Sequence, residues 1–157
     1  MKILGIDPGL QITGYGVVDF RQNSPKLVDG GVIRLSPKVS IAQRLVELES
    51  ELDGLLAEYA PEICAVEQLY SHYKHPRTAI LMAHARGVIL LAAQRRGVRV
   101  REFSANRIKQ SLVGYGHAGK AQIQRGVQQI FRLKDPLRPP DVSDALAAAL
   151  CCGRSLR

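Results

Sequence analysis

A chain of 157 residues, 46% hydrophobic and 23% charged, fits one domain with a packed core, which excludes an intrinsically disordered protein. Its formal charge of +8 is unevenly spread: residues 1–70 hold 6 Lys/Arg and 10 Asp/Glu, a net of −4, and residues 71–157 hold 16 and 4, a net of +12. The basic half suits a polyanionic partner, because cations that neutralise phosphates release condensed counterions; the plainer alternative is a solvated surface that keeps the protein soluble.

From the start, Lys2 to Asp7, Thr13 to Phe20 and Lys26 to Leu35 are short, rich in Ile, Val and Tyr, and separated by Pro8-Gly9 and Asn23-Ser24-Pro25. They predict three antiparallel strands. Asp7 and Pro8 interrupt the first run before it could serve as a signal peptide, and the apolar run Val88 to Ala93 is far below the roughly 20 residues that a bilayer requires. A cytosolic location away from membranes is expected. Leu45, Leu48, Leu52, Leu55, Leu56 and Tyr59 recur at spacings of three and four, which predicts an amphipathic helix with its start near Ser36-Pro37.

Ile63 to Glu67 reads as a buried strand that ends on an acid. Pro76 to Arg96 reads as a helix that mixes large apolar residues with Ala79, Ala83, Gly87 and Ala93. The small residues favour close packing, either on a partner subunit or on the chain's own sheet. Val98 to Phe103 predicts a fifth strand. Ser104 caps a helix through Leu112, Gly114-Tyr115-Gly116 forms a loop, and Ala118 to Phe131 is helical again. After Arg138-Pro139-Pro140, an alanine-rich helix spans Asp141 to Cys152. The whole makes a mixed α/β layer architecture over 1–157. Cys64, Cys151 and Cys152 lack metal-ligand or disulfide spacing and are expected as small buried residues.

Four acids stand out. Asp141 and Asp144, at i and i+3, share one helical face, though acids at a helix start commonly only complement the macrodipole. Asp7 ends an apolar strand before Pro8-Gly9, where an aspartate often merely anchors the turn. Glu67 closes a run that calls for burial, and a buried carboxylate is costly unless a metal ion or a Lys/Arg partner compensates it. Should the four meet, a hard cation such as Mg²⁺ would be their natural occupant, and in-line phosphodiester hydrolysis the matching chemistry. Spacing alone leaves that meeting open.

Gly5-Ile6-Asp7-Pro8-Gly9, Thr13-Gly14-Tyr15-Gly16, Val66-Glu67-Gln68, Ala85-Arg86-Gly87 and Asp141-x-x-Asp144-Ala145-Leu146-Ala147, in this order, closely resemble the RuvC family of bacterial Holliday-junction resolvases. The resemblance covers nearly the whole chain. It implies a ribonuclease-H-like five-stranded sheet flanked by helices, with Asp7, Glu67, Asp141 and Asp144 binding two Mg²⁺ ions, for which Mn²⁺ is a substitute. It further implies a crossover junction endodeoxyribonuclease that acts as a homodimer on four-way junction DNA and nicks two strands of like polarity symmetrically. It places the protein in recombination and repair alongside the RuvA and RuvB branch-migration proteins.

Lys109 and Lys120 match family lysines that contact DNA near the active site, where an ammonium would ground the scissile phosphate. A solvent-exposed role is the alternative for either lysine. Tyr70 stands where many relatives carry Phe and keeps a ring able to stack on an unpaired base. Ser71 to Arg77 departs from the family's usual composition, and Gly119 replaces an acid common before the family lysine. Two rivals stand beside this reading: a nuclease of the same fold acting on flaps or RNA, and a non-catalytic junction binder.

Overall fold

The computed structural model describes residues 1–21, 24–69 and 76–156. Strands β1 (Lys2–Asp7), β2 (Ile12–Arg21) and β3 (Ser24–Arg34) run antiparallel, while β4 (Ile63–Glu67) and β5 (Arg99–Phe103) join in parallel on the other side of β1. The sheet order is β3-β2-β1-β4-β5, the mixed five-stranded arrangement expected from the sequence. Turn residues that separate apolar runs of five to eleven residues leave each run little alternative to a strand.

Strand alternation builds two cores. Leu4, Ile6, Val17, Cys64 and Val66 face helices α1 (Ile41–Tyr59) and α2 (Pro76–Arg95). Ile3, Val18, Ile63 and Ala65 face α3 (Ala105–Val113), α4 (Lys120–Phe131) and α5 (Pro140–Arg154). Because successive side chains alternate, Asp7 shares the face of Ile3, and Glu67 that of Ile63 and Ala65. Both acids therefore lie on the α5 side, at the carboxyl ends of neighbouring parallel strands.

The first helix starts later than Ser36. Its cap is Ser40: the Gln43 amide donates to Ser40 Oγ at 3.2 Å, and the Ser40 amide donates to Gln43 Oε1 at 3.0 Å. This reciprocal box satisfies two otherwise orphaned donors, which Ser36 followed by Pro37 and Lys38 does not offer. Other boundaries move by one or two residues, within ordinary fraying.

Helix α5 is buried continuously from Val142 to Gly153 except at Asp144, so an apolar, small-residue surface all round is what its position demands. It lies on β1 and β2, and glycines make the approach possible. A Cβ on Gly5 would overlap the Ala145 carbonyl oxygen, and one on Gly14 the Asp141 carbonyl oxygen. Cys64, Cys151 and Cys152 are buried free thiols, as expected. No helix is long and apolar enough to cross a membrane, among the described residues.

Candidate active site

Three registers bring the acids together. Ile6 pairs with Val66, which sets Asp7 beside Glu67. Asp7 pairs with Gly14, and Gly14 lies directly under Asp141. Asp144 follows one turn along α5, on the same helical face as Asp141. The chain leaving Asp7 is clamped by Thr13, which is fully buried, donates from Oγ1 to the Gly9 carbonyl at 2.5 Å and accepts from the Gly9 amide at 3.3 Å. Thr13 appeared in the sequence only as part of a motif. A threonine four residues after the Pro8-Gly9 turn, where its hydroxyl can bond back to the turn's backbone, is the signal that could have found this role.

The electrostatics follow from that proximity. Burial, followed by repulsion from Asp144, Glu67 and Asp141, pushes the Asp7 carboxyl up to about 8, with Lys120 opposing. Burial and then Asp144 raise Glu67, while Lys109 and Lys120 pull it down. Asp144 is raised by burial above all, with Asp141 adding to this and the same two lysines offsetting it. Lys109, half-buried on α3, shares a crevice of about 30 Å³ with Glu67 and Asp144. Lys120, exposed at the start of α4, lies near enough to the acids to oppose the rise at Asp7. Its helix is entered through Gly119, whose amide donates to Gln122 Oε1 at 2.8 Å and whose carbonyl accepts from the Gln122 amide at 3.0 Å, so the start is fastened without a side-chain acceptor at the cap.

All four acids and both lysines thus occupy one neighbourhood. Among the described residues, no three His, Cys, Asp or Glu side chains are gathered tightly enough to enclose a metal ion as they stand. The acids share a site without forming a closed coordination sphere, an arrangement that mutual repulsion between carboxylates favours. Tyr70 and most of the segment Ser71 to Arg77 lie outside the described residues; Arg77 itself is exposed on the first turn of α2. Sequence reading gave no role to Arg86 or Glu102. Their ion pair at 2.5 Å ties α2 to β5 on the sheet face opposite the acids, and a spacing argument could not find it because it joins two distant elements.

The family model described as "Crossover junction endodeoxyribonuclease RuvC" matches residues 3–152. The crossover junction endodeoxyribonuclease RuvC of Alkaliphilus metalliredigens is 42% identical over 155 residues, covering 99% of this chain and 94% of that protein. The structure of Thermus thermophilus RuvC in complex with a Holliday junction substrate is 34% identical, covers 100% of this chain and 95% of that one, and superposes with a TM-score of 0.93. A yeast mitochondrial Holliday junction resolvase, at 14% identity over 95% of this chain and 76% of its own, shares the fold with a TM-score of 0.66. With the family model spanning almost its full length and a relative this similar from end to end, the chain belongs to the RuvC family of crossover junction endodeoxyribonucleases.

Proposed function

We propose that this protein resolves Holliday junctions by nicking two strands of like polarity symmetrically, leaving ligatable 5′-phosphate and 3′-hydroxyl ends, with Asp7, Glu67, Asp141 and Asp144 as its catalytic carboxylates. The observation that carries this reading is the convergence of the four acids at the carboxyl ends of β1 and β4 beneath the start of α5. The junction as substrate is supported by the Thermus thermophilus relative, whose structure holds one.

Half-buried carboxylates held above their ordinary pKa range, which Lys109 and Lys120 offset only in part, form a hard oxygen donor set that fits Mg²⁺. Two such ions, when bound, supply an activated water and neutralise the leaving 3′ oxygen. The chain's own part is to hold the four carboxylates on two strand ends and one helix turn, and to set Lys109 and Lys120 beside them as cationic anchors for the scissile phosphate. A ring at position 70 would stack on an unpaired base next to the site.

A dimer would give the symmetric pair of cuts. Its support is the outer face of α2, where Ile80 is 57% and Leu91 54% exposed, with Gly87 between them open to close approach. The inner face, through Ala85, Ile89, Ala92 and Ala93, packs on the chain's own core, so the two roles weighed for the small residues fall on two sides of one helix. In the cytoplasm the dimer would receive junctions from the RuvA and RuvB branch-migration proteins.

The deciding experiment is Asp7→Asn on a synthetic four-way junction with Mg²⁺. Binding is retained and paired cleavage lost, while the wild-type protein leaves linear duplex largely intact. Unchanged cleavage by the variant rejects the site, and equal cutting of duplex and junction rejects the resolvase.

A further inference from the structure

A groove of about 640 Å³ runs beside the acids, lined by Arg34, Gln124, Pro136, Arg138, Pro139 and Pro140. Three connections place it there. Pro140 immediately precedes Asp141 at the start of α5. Gln124 lies one turn after Lys120 on α4, on the same helical face. Arg34 pairs with Ile12 on the edge strand β3, two positions beyond the Val32–Gly14 pair that lies under Asp141. The groove therefore opens on the catalytic carboxylates from the side opposite Lys109.

Its chemistry is narrow. Arg34 and Arg138 are both exposed, and neither enters an ion pair among the described residues. The prolines between them have no amide proton to donate, and the Gln124 side-chain nitrogen is engaged by the Leu137 carbonyl at 3.4 Å. Two guanidinium groups and apolar proline rings remain along its lining, a combination suited to gripping phosphate oxygens bidentately while the rings pack against sugar. Asp135, the one acid of the connecting loop 132–138, has no cation within ion-pair distance among the described residues. The groove is open, so an extended polyanion covers it where a small free anion would stay in water.

We propose that Arg34 and Arg138 form a second DNA-backbone clamp, which holds the strand flanking the scissile phosphate on the side of β3 and α4 and so fixes which phosphate reaches the carboxylates. This rests on the nuclease reading above. Its failure is distinguishable from failure of that reading, because the wild-type protein reports on one and the variants on the other.

The test is the binding of a four-way junction in Ca²⁺ by fluorescence anisotropy over a range of salt, for wild type, Arg34→Ala/Arg138→Ala, Arg34→Lys/Arg138→Lys and, at the far end of the sheet, Lys26→Ala. Each phosphate contact contributes about 0.9 to the logarithmic salt slope. The double alanine variant is expected to bind about tenfold weaker near 0.1 M salt, with a slope shallower by about 1.8. The lysine pair restores the slope, and Lys26→Ala keeps it. Neutral methylphosphonates in place of the phosphates flanking the scissile one weaken the wild type and leave the alanine variant indifferent. Wild-type affinity and slope in the alanine variant overturn the clamp, as does an equal loss per charge in Lys26→Ala. A wild type that fails to bind the junction overturns the nuclease reading and the clamp with it.

Discussion

Asp7 and Asp19 sit at opposite ends of the same antiparallel pair, Asp7 opposite Gly14 and Asp19 opposite Lys2, and the protein treats them in opposite ways. Asp19 is only 6% exposed. Burial alone would raise its pKa, yet hydrogen bonds from Arg21 and the Met1 amino group, with their charges, hold the carboxyl below its usual range. Among the described residues Asp7 receives no such pairing. Burial and three neighbouring acids push it up to about 8, with Lys120 opposing. A buried acid that the protein compensates is a structural element; one left uncompensated is poised for a charge supplied from outside.

The largest test of this contrast is catalytic. Glu67→Gln or Asp144→Asn should lower junction cleavage by about a thousandfold at unchanged junction affinity, whereas Asp19→Asn, removing an acid more deeply buried than either, should leave the rate within about twofold. A comparable rate loss in Asp19→Asn would mean that burial of acids, and not their location under α5, sets activity.

Much of this was legible in the sequence, for reasons that differ from residue to residue. Strand alternation and turn residues located all five strands, and the i, i+3 spacing put Asp141 and Asp144 on one face. The meeting of Asp7 with Glu67 depends on parallel pairing between segments sixty residues apart, which no local pattern encodes; only the ordered family resemblance joined them. Ser36 misled because its composition matches a cap, while the reciprocal Ser40–Gln43 bonds that decide the start are a matter of geometry. Arg138 was legible only as part of a basic, proline-rich loop ahead of Asp141; its meeting with Arg34 was not, because the two cations lie in distant elements that share a groove only after β3 and that loop have packed.

The lysines give a smaller effect with a sharper signature. Lys120 lowers the pKa of Asp7, Glu67 and Asp144, and Lys109 acts on Glu67 and Asp144. Lys120→Ala should reduce kcat by about tenfold and move the acidic limb of the cleavage pH profile to higher pH, because Asp7 becomes still harder to ionise. Lys109→Ala should move that limb less. Equal displacement in both would reject the closer coupling of Lys120 to Asp7.

The same contrast reverses the pH dependence of stability. The folded-state pKa of Asp7 lies above its unfolded value of 3.8, so its contribution is fully present below about pH 4 and is lost as pH rises through about 8. In metal-free protein, Asp7→Asn should therefore melt several degrees above wild type near pH 8.5, with the gap closing toward pH 4. Asp19, with its pKa depressed, stabilises above its unfolded value and loses that contribution as pH falls through the folded one. Asp19→Asn should melt below wild type at neutral pH and approach it in acid. Parallel curves for the two variants would erase the distinction between them.

The smallest effect belongs to a third acid, on the sheet face opposite the four acids and α5. Asp29 Oδ2 accepts hydrogen bonds from Tyr15 Oη at 3.0 Å and Tyr59 Oη at 2.8 Å, so β2, β3 and α1 share one carboxylate. Burial works to raise Asp29, but these bonds and one from the Gly30 amide hold it below the usual range, as with Asp19. Tyr15→Phe removes one of three donors from an acid that keeps the other two. The cost should be about 1 kcal/mol, seen as a fall of about 2–4 °C in Tm. Cleavage should be unchanged, because Tyr15 projects away from α5, between Gly14 and Gly16, which lie under that helix. A loss of cleavage exceeding the loss of stability would show that strain on the α1 side reaches Asp7 through β2, and that the two faces of the sheet are not independent.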